Sequence, residues 1–216
     1  MDVKPFEVGN VFHLKVFGSS HGPNVGVEVT GCPKGFAVSE SDIQIELDKR
    51  KPGQSLLTTQ RKEDDRVIVE SGLENGVTTG GVIRMRIENK NAISAHYDKI
   101  KDTPRPGHAD YPARVKYGLD ADLRGGSFFS GRMTAAFVMA GALAKKILGK
   151  QGIKTMAFCK QIGEVKIMRE VSEQEILGNV YQNLVRTAAP EAVDEMIAQV
   201  ESARKDGDSY VFNGSK

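Results

Sequence analysis

The stretch from Gly131 to Leu148 constrains the fold of this chain more than any other segment. Apolar residues recur in it at intervals of three and four, which predicts a long helix with one buried face. Lysines near its end and a glycine just after it suit the helix dipole and a glycine stop. Such a helix has to be covered by other parts of the chain. Its apolar positions are Met133, Ala136, Phe137, Ala140, Leu143, Ala144 and Ile147.

The remaining predicted elements are short and of mixed type. Alternating apolar residues predict strands, and Ser39 with an acidic first turn predicts a helix of about ten residues. Short strands that precede a buried helix are compatible with an α+β fold. The segment from Asn89 to Leu123 is predicted to be a long loop, which is uncommon without a function. The strands are predicted at 10–17, 25–30, 66–71, 81–88 and 162–168, and two later helices at 172–184 and 189–203.

Composition bounds the class of protein. The 216 residues, 39% of them hydrophobic, are enough for a sizeable core. A net charge of +2 gives no global field for nucleic acid or membrane binding. Cys32 and Cys159 lack metal-ligand spacing, so we expect no metal site, and their isolation fits a reducing compartment. The N-terminus resembles no targeting signal, so we expect a cytoplasmic protein with no membrane partner.

Two histidines stand in glycine-containing loops, Gly18-Ser19-Ser20-His21-Gly22 and Arg105-Pro106-Gly107-His108-Ala109-Asp110. Glycine and proline permit sharp turns that hold each imidazole at a rigid corner. Histidine can give and take a proton near neutral pH, so this pattern indicates proton transfer. His13, in a strand-like run, and His96, in a polar stretch, lack this setting and are interpreted as structural or surface residues.

The predicted long helix begins after a glycine-serine turn at residues 124–130, with Ser130 as the expected cap. Free backbone N–H groups at a helix start attract anions, and Arg124 and Arg132 flank this one. A loop rich in cations and hydroxyls spans residues 49–62. Together with the two histidines, these features indicate a site for a phosphorylated, carboxylated ligand. The alternatives are a helix start that binds nothing and arginines on a solvated surface.

The chain resembles the chorismate synthase family through five segments in the family's order and spacing. Any one of them would be a weak signal, whereas five together, over roughly residues 8–209, are highly specific. They are Phe17-Gly18-Ser19-Ser20-His21-Gly22; Lys51-Pro52-Gly53-Gln54-Ser55 with Thr58-Thr59-Gln60-Arg61; Thr78-Thr79-Gly80; Arg105 to Tyr111 with Lys116-Tyr117-Gly118; and Arg124-Gly125-Gly126 through Ser130-Gly131-Arg132.

The resemblance implies an enzyme that makes chorismate from 5-enolpyruvylshikimate 3-phosphate by 1,4-anti elimination of phosphate, assisted by reduced FMN. It leaves open whether NADPH reduces the flavin on this protein. It also implies an α+β fold, a β-α-β sandwich of antiparallel sheets around central helices, and assembly as a homotetramer. The pathway it implies is the shikimate route to aromatic amino acids.

The resemblance also assigns residues. His21 would protonate the departing phosphate, and His108 would protonate or stabilise the reduced flavin. Serines would relay protons near the flavin, and arginines would clamp the substrate's phosphate and carboxylates. The two aromatic residues before the second serine could pack on the flavin or join the core. The serines are Ser20 and Ser130, the arginines Arg50, Arg105 and Arg132, and the aromatic residues Phe128 and Phe129.

The chain departs from the family pattern at several positions and in length. Ser19 and Met133 replace commonly acidic residues, Leu56 replaces a commonly basic one, and Ser127-Phe128-Phe129 replaces glycine-arginine-serine. We interpret residues 1–209 as the N-terminal portion of a truncated chorismate synthase-like domain, followed by an unrelated tail at 210–216. The alternatives to an enzyme are a non-catalytic flavin- or phospholigand-binding module and an oligomerising remnant; nucleic acid binding through residues 49–62 is the weakest.

Overall fold

The computed structural model describes residues 6–50, 64–90, 103–118, 122, 124–207 and 212–215. The motif that begins at Lys51, with Leu56, lies outside these residues, as does His96. Within the described residues the chain forms two compact units, one ending at Gly152 and one beginning at Ile153. None of the described helices combines the length and the apolar character needed to cross a membrane.

The first unit is built on a five-stranded antiparallel sheet with the strand order β1-β2-β3-β7-β4. Two helices of this unit, α1 and α3, pack against each other, and α3 also packs on the sheet. A two-stranded ribbon pairs β5 with β6. The elements of this unit are β1 Glu7–Val8, β2 His13–Gly18, β3 Asn24–Thr30, α1 Glu40–Arg50, β4 Ile68–Ser71, β5 Leu73–Glu74, β6 Val77–Thr78, β7 Ile83–Glu88, α2 Asp110–Tyr117 and α3 Thr134–Gly149.

Strand β7 shows how the sheet separates core from surface. Ile83, Met85 and Ile87 are fully buried, whereas Arg84 and Arg86 alternate with them and point to the opposite face. Both arginines donate to Glu70 of β4, at 2.8 and 2.6 Å. Because side chains alternate along a strand, one face of the sheet is apolar and covered by helices and the other is charged.

Helix α3 supplies the other half of the core. It buries four alanines, Met139 and Leu143 against a cluster that includes the valines of β3 and two residues of α1, Ile43 and Leu47. The small alanines allow close approach of the sheet, and the long apolar side chains fill the space between. The prediction of a long buried helix in an α+β fold with antiparallel sheets is confirmed. The buried alanines are Ala135, Ala136, Ala140 and Ala142.

The second unit has its own small core. A three-stranded antiparallel sheet, in the order β10-β8-β9, is joined by helices α4 and α5. A capping box begins α4, in which Ser172 Oγ accepts from the Glu175 backbone N–H at 3.2 Å. The expected unrelated tail therefore contributes a strand. The elements are β8 Phe158–Ile162, β9 Val165–Lys166, α4 Glu173–Asn179, α5 Val193–Asp206 and β10 Phe212–Ser215.

Three local predictions differ from the structure. The expected loop from 89 to 123 contains α2, and the expected strand at 162–168 is a hairpin that turns at Gly163, whose φ is +53°. Ser130 caps a short 3₁₀ turn, Gly131–Met133, rather than α3, which begins at Thr134 without a side-chain cap. Helix α2 buries only Asp110 and Ala113, so the spacing of its apolar residues did not reveal it. The other two differences concern a short turn and the end of a helix, where the spacing of apolar residues gives little information.

Candidate active site

The first predicted histidine lies in the turn between β2 and β3. Gly18, at φ +83°, lets the chain leave β2, and the turn is closed by a hydrogen bond from the Gly22 N–H to the Ser19 carbonyl at 3.2 Å. Ser20 is buried, with 1% of its surface exposed, and its Oγ lies 3.0 Å from His21 Nδ1. The turn therefore fixes the imidazole of His21 through one of its two ring nitrogens.

A glycine turn lies directly against this imidazole. Gly125 has a φ of +61°, and a Cβ added to it would lie 2.1 Å from His21 Cε1 and 2.2 Å from Nδ1. No side chain fits there. Gly126, beside it, is also crowded, because a Cβ would lie 2.9 Å from the Ser130 Cα. The glycine pair in the Arg124-Gly125-Gly126 motif is thus explained by the approach of a ring on one side and of the Ser130 backbone on the other.

Arg105 joins the second histidine loop to the same glycine turn. Its Nε and Nη2 donate to the two carboxylate oxygens of Asp110 at 2.7 and 2.9 Å, and Nη2 also donates to the Gly125 carbonyl at 2.5 Å. The hydrogen bonds from Arg105 hold the pKa of the buried Asp110 carboxyl below its ordinary value. Asp110 is the first residue of α2, so this pair anchors the start of that helix beside the His21 turn.

The second histidine faces a cavity. His108 is exposed, and its Nδ1 lies 3.2 Å from the Pro106 carbonyl. Phe129 is 45% exposed and its ring centroid is 6.3 Å from that of Tyr117, whereas Phe128 packs on the main core. The cavity has a volume of about 190 Å³ and is lined by Gly107, His108, Ala109, Asp110, Ala113, Asp122, Gly126 and Phe129.

Asp122 contacts two of the segments that form this region. Its carboxylate accepts from Arg124 Nε at 2.9 Å and from Ser19 Oγ at 3.4 Å. Burial acts to raise the pKa of Asp122, but the hydrogen bonds from Arg124 outweigh it and leave the pKa below its ordinary value. An ionised carboxylate therefore lies between the His21 turn and the glycine turn. Ser19 of the His21 turn donates to it.

A buried carboxylate joins the other two predicted arginines. Asp65 is 2% exposed, and its two oxygens accept from Arg132 Nη1 and from Arg50 Nη1, the latter at 3.0 Å. Arg132 is itself buried, at 6% exposure, and Arg50 also donates to the Gly131 carbonyl at 2.9 Å. Two guanidinium groups therefore share one buried carboxylate at this position.

Asn89 connects this arginine pair to the His21 turn. Its Nδ2 donates to the carbonyls of Ser19 and Gly22 at 2.9 and 2.8 Å, and its Oδ1 accepts from Arg132 Nε at 3.1 Å. Ser130 Oγ, in turn, accepts from the Arg132 backbone N–H at 3.2 Å. The two predicted serines therefore lie on segments that Arg132 and Asn89 hold together.

The predicted site residues all lie in the first unit, and hydrogen bonds and packing connect most of them. Sequence reasoning missed Asp65, Asn89 and Asp110 as partners of the predicted groups. Asp110 stands within the motif of the second histidine and could have been found there. Asp65 lies in a run of acidic residues and Asn89 follows the end of a strand, and neither position has a sequence pattern that indicates a partner. No cluster of three or more metal-ligating side chains occurs among the residues the structure describes.

Comparison with known proteins bears on the family to which the chain belongs. The family model for chorismate synthase matches residues 12–211. Proteins named chorismate synthase from Methanocella arvoryzae and Korarchaeum cryptofilum are each 47% identical over 201 residues, which is 93% of this chain and 54% and 55% of theirs. One from Pyrococcus abyssi is 46% identical over 203 residues, 93% of this chain and 55% of its own.

A solved structure, titled "Crystal Structure of Chorismate Synthase", matches with a TM-score of 0.70 and 25% identity over 93% of this chain and 55% of that one. The predicted chorismate synthase-like fold is thereby confirmed for the part that this chain covers. The chain spans about half the length of the curated relatives it matches. On the family match and these identities, the chain belongs to the chorismate synthase family.

Proposed function

We propose that this chain carries out the reaction of chorismate synthase, the 1,4-anti elimination of phosphate from 5-enolpyruvylshikimate 3-phosphate, with reduced FMN as cofactor. The observation that carries the proposal is the meeting of three motifs at Gly125. The His21 imidazole packs on this glycine, and Arg105 donates to its carbonyl. A proton donor and an anion-binding group are thus held beside one glycine-rich turn, as an elimination of phosphate requires.

The cavity beside His108 suits one part of a flavin. Its volume of about 190 Å³ is below the roughly 300–1,000 Å³ of sites that enclose a whole cofactor-sized ligand. Its small lining residues and the exposed ring of Phe129 fit an edge of a flat heteroaromatic ring. Phe128, which packs on the core, would support Phe129 and Ser130 from behind. Reduced FMN would supply electron density to assist departure of the leaving group.

His21 is the proton donor to the departing phosphate in this proposal. The contact of its Nδ1 with Ser20 Oγ holds the ring in the turn from which it would donate. Ser20 can donate to or accept from Nδ1, so its buried hydroxyl can follow a change in the protonation of the ring. A donor held in this way contributes typically about 10²- to 10⁴-fold to the rate.

The remaining predicted residues would interact with the charged groups of the flavin and the substrate. In this proposal His108, at the cavity, would protonate or stabilise the reduced flavin, and Ser130 would serve as a proton relay. The guanidinium groups of Arg50, Arg105 and Arg132 hold the substrate's phosphate and carboxylates. Arg50 and Arg132 share the buried Asp65, which orders both guanidinium groups for this role.

The proposal extends to the setting of the enzyme. It includes a homotetramer, residues 1–209 as the N-terminal portion of the catalytic domain, and a place in the shikimate pathway. It also includes a cytoplasmic location, which the two free cysteines favour, and a small phosphorylated substrate rather than nucleic acid or a membrane as the ligand. The flavin would be reduced by NADPH on this protein or supplied in its reduced form.

A second candidate is a protein that binds flavin or a phosphorylated ligand without turnover. The cavity and the arginine groups support it equally, because neither feature requires a reaction. An oligomerising remnant, by contrast, would use none of the arginines for ligands. These candidates differ in two measurable properties, flavin binding and chorismate formation.

An anaerobic turnover assay distinguishes them. Chorismate formation from 5-enolpyruvylshikimate 3-phosphate and reduced FMN is followed for the 216-residue chain alone and for the chain co-expressed with the C-terminal half of the Methanocella arvoryzae relative. His21→Gln should lower kcat by about 100-fold or more. His13→Gln is the matched control, because His13 lies on β2 and its Nε2 is 3.6 Å from Glu7 Oε2 on the neighbouring strand. Flavin binding without turnover in both preparations would favour the binding protein, and absence of both would favour the remnant.

A further inference from the structure

Asn89 lies immediately after β7 and reaches the His21 turn with both its backbone and its side chain. Its backbone N–H donates to the Pro23 carbonyl at 3.0 Å, and its Nδ2 donates to the carbonyls of Ser19 and Gly22 at 2.9 and 2.8 Å. Three carbonyls of the turn that carries His21 therefore accept hydrogen bonds from a single residue. These three hydrogen bonds fix the path of the backbone from Ser19 to Pro23.

The orientation of the Asn89 amide is determined by its partners. Its Oδ1 faces Arg132 Nε, which can only donate, and its Nδ2 faces two carbonyls, which can only accept. The flipped amide would place like groups together at all three contacts. Arg132 is in turn held by the buried Asp65. The carboxylate, the guanidinium and the amide therefore form one chain of hydrogen bonds that ends at the His21 turn.

We propose that Asn89 is a positioning residue for the imidazole of His21, and that it transmits the placement of Arg132 to that ring. The proposal rests on the proposed function, because it assigns to Asn89 the placement of the proton donor relative to an anion-binding arginine. Asn89 acts on the ring through the carbonyls of the turn, to which it donates. A proton donor displaced by about 1 Å can cost about 100-fold in rate, so a residue that only fixes the turn still affects turnover strongly.

The variant Asn89→Asp separates this role from the contact with Arg132. Aspartate keeps an acceptor for Arg132 Nε but replaces the two N–H donors by an oxygen that faces two carbonyls. The matched control is Asn75→Asp, the same change at an exposed position in the turn between β5 and β6. Asn89→Ser, which keeps a single hydroxyl donor, serves as the second variant.

The first readout is the ring of His21 itself. In the 216-residue chain labelled with ¹⁵N-histidine, the His21 signals are identified by their loss in His21→Gln. Under conditions where the ring is neutral, we expect well-separated Nδ1 and Nε2 shifts, which indicate one tautomer. Asn89→Asp and Asn89→Ser should bring the two shifts toward an exchange average, and Asn75→Asp should leave them unchanged. Unchanged shifts in both Asn89 variants overturn the proposal, and so does loss of the folded state in both.

The second readout is kinetic. In the complemented turnover assay, Asn89→Asp should lower kcat by about 100-fold and change KM by less than about threefold, because the ring rather than the ligand is displaced. An increase in KM alone would assign Asn89 to ligand binding instead. If the unaltered chain shows no turnover, the proposed function fails, but the comparison of the ring shifts still decides the role of Asn89.

Discussion

Gly125 and His21 are in direct contact, and the contact leaves no room for a side chain at position 125. A Cβ on Gly125 would lie 2.1 Å from Cε1 of the imidazole. These residues are more than a hundred positions apart in sequence and belong to two different family motifs. The position of the His21 ring in one motif therefore requires glycine at position 125 in the other.

Gly125→Ala should displace the His21 ring and destabilise the fold. The alanine has to adopt a φ of +61°, and its methyl group overlaps the ring. The control Gly76→Ala faces a φ of +75° with nothing within 4 Å of the new Cβ. Both variants incur the left-handed strain of about 1 kcal/mol, and Gly125→Ala should cost at least about 1 kcal/mol more. Denaturant unfolding measures the loss of stability in each variant, and the ¹⁵N shifts of His21 report the displacement of the ring. Equal losses of stability in the two variants, with unchanged shifts, would contradict the prediction.

Asp65→Asn should be one of the most destabilising conservative changes in the chain. It removes the charge that compensates the buried Arg132, and breaking one side of a buried pair costs about 3–5 kcal/mol. Asparagine tolerates the left-handed φ of +46° found at Asp65, so the change isolates the charge. The neighbouring Asp64→Asn is the control. The Asp64 side chain is 77% exposed and pairs with Lys90, so its loss should cost less than about 1 kcal/mol in chemical denaturation. Similar costs for the two variants would be inconsistent with a buried charge pair.

The spacing of apolar residues along the sequence explains which strands and helices could be predicted. The strands predicted at 10–17 and 25–30 are His13–Gly18 and Asn24–Thr30, and the long helix is Thr134–Gly149. These elements bury one face, so their sequences alternate in the expected way. Helix α2 does not, because Tyr111 and Val115 are 66% and 71% exposed and only Asp110 and Ala113 are buried. Its start depends on the Arg105 pair, which no periodic pattern reveals.

The sequence also predicted part of the site, namely the segments that form it but not the residues that join them. Motifs with glycine beside histidine or arginine identified the segments that meet near His21. The groups that hold these segments together are single residues whose partners are distant in sequence. Asp65 binds Arg132, 67 positions away, and Asn89 binds the Ser19 carbonyl, 70 positions away. A sequence without its fold gives no means of pairing such positions.

Arg105→Lys should weaken the anchor between α2 and the glycine turn. A lysine ammonium cannot donate to both oxygens of Asp110 and to the Gly125 carbonyl in one planar geometry. We expect a loss of about 1–2 kcal/mol in the free energy of unfolding and faster amide hydrogen exchange over Asp110–Tyr117. Arg124→Lys is the control, because Arg124 makes a similar two-point contact with Asp122 but its side chain is 44% exposed. Unchanged exchange in Arg105→Lys would show that the pair does not hold the helix.

Asp42 should make a contribution to stability that disappears in acid. Hydrogen bonds from Lys146 first, and then from Ser39, lower the pKa of Asp42 from 3.8 to about 2. Because the pKa is lower in the folded state, the ionised form is the stabilising one. Its contribution is complete above about pH 4 and is lost as the pH falls toward 2.

The difference in unfolding free energy between the unaltered chain and Asp42→Asn should therefore be about 1 kcal/mol at neutral pH and vanish near pH 2. Lys146, whose Nζ is 2.5 Å from Asp42 Oδ2, links α3 to α1 through this pair. In Lys146→Gln the acid-dependent part of the difference should shrink, because the largest cause of the lowered pKa is gone. A difference that stays constant from neutral pH to pH 2 would mean that Asp42 acts only through the shape of its contacts with Ser39 and that its charge contributes nothing.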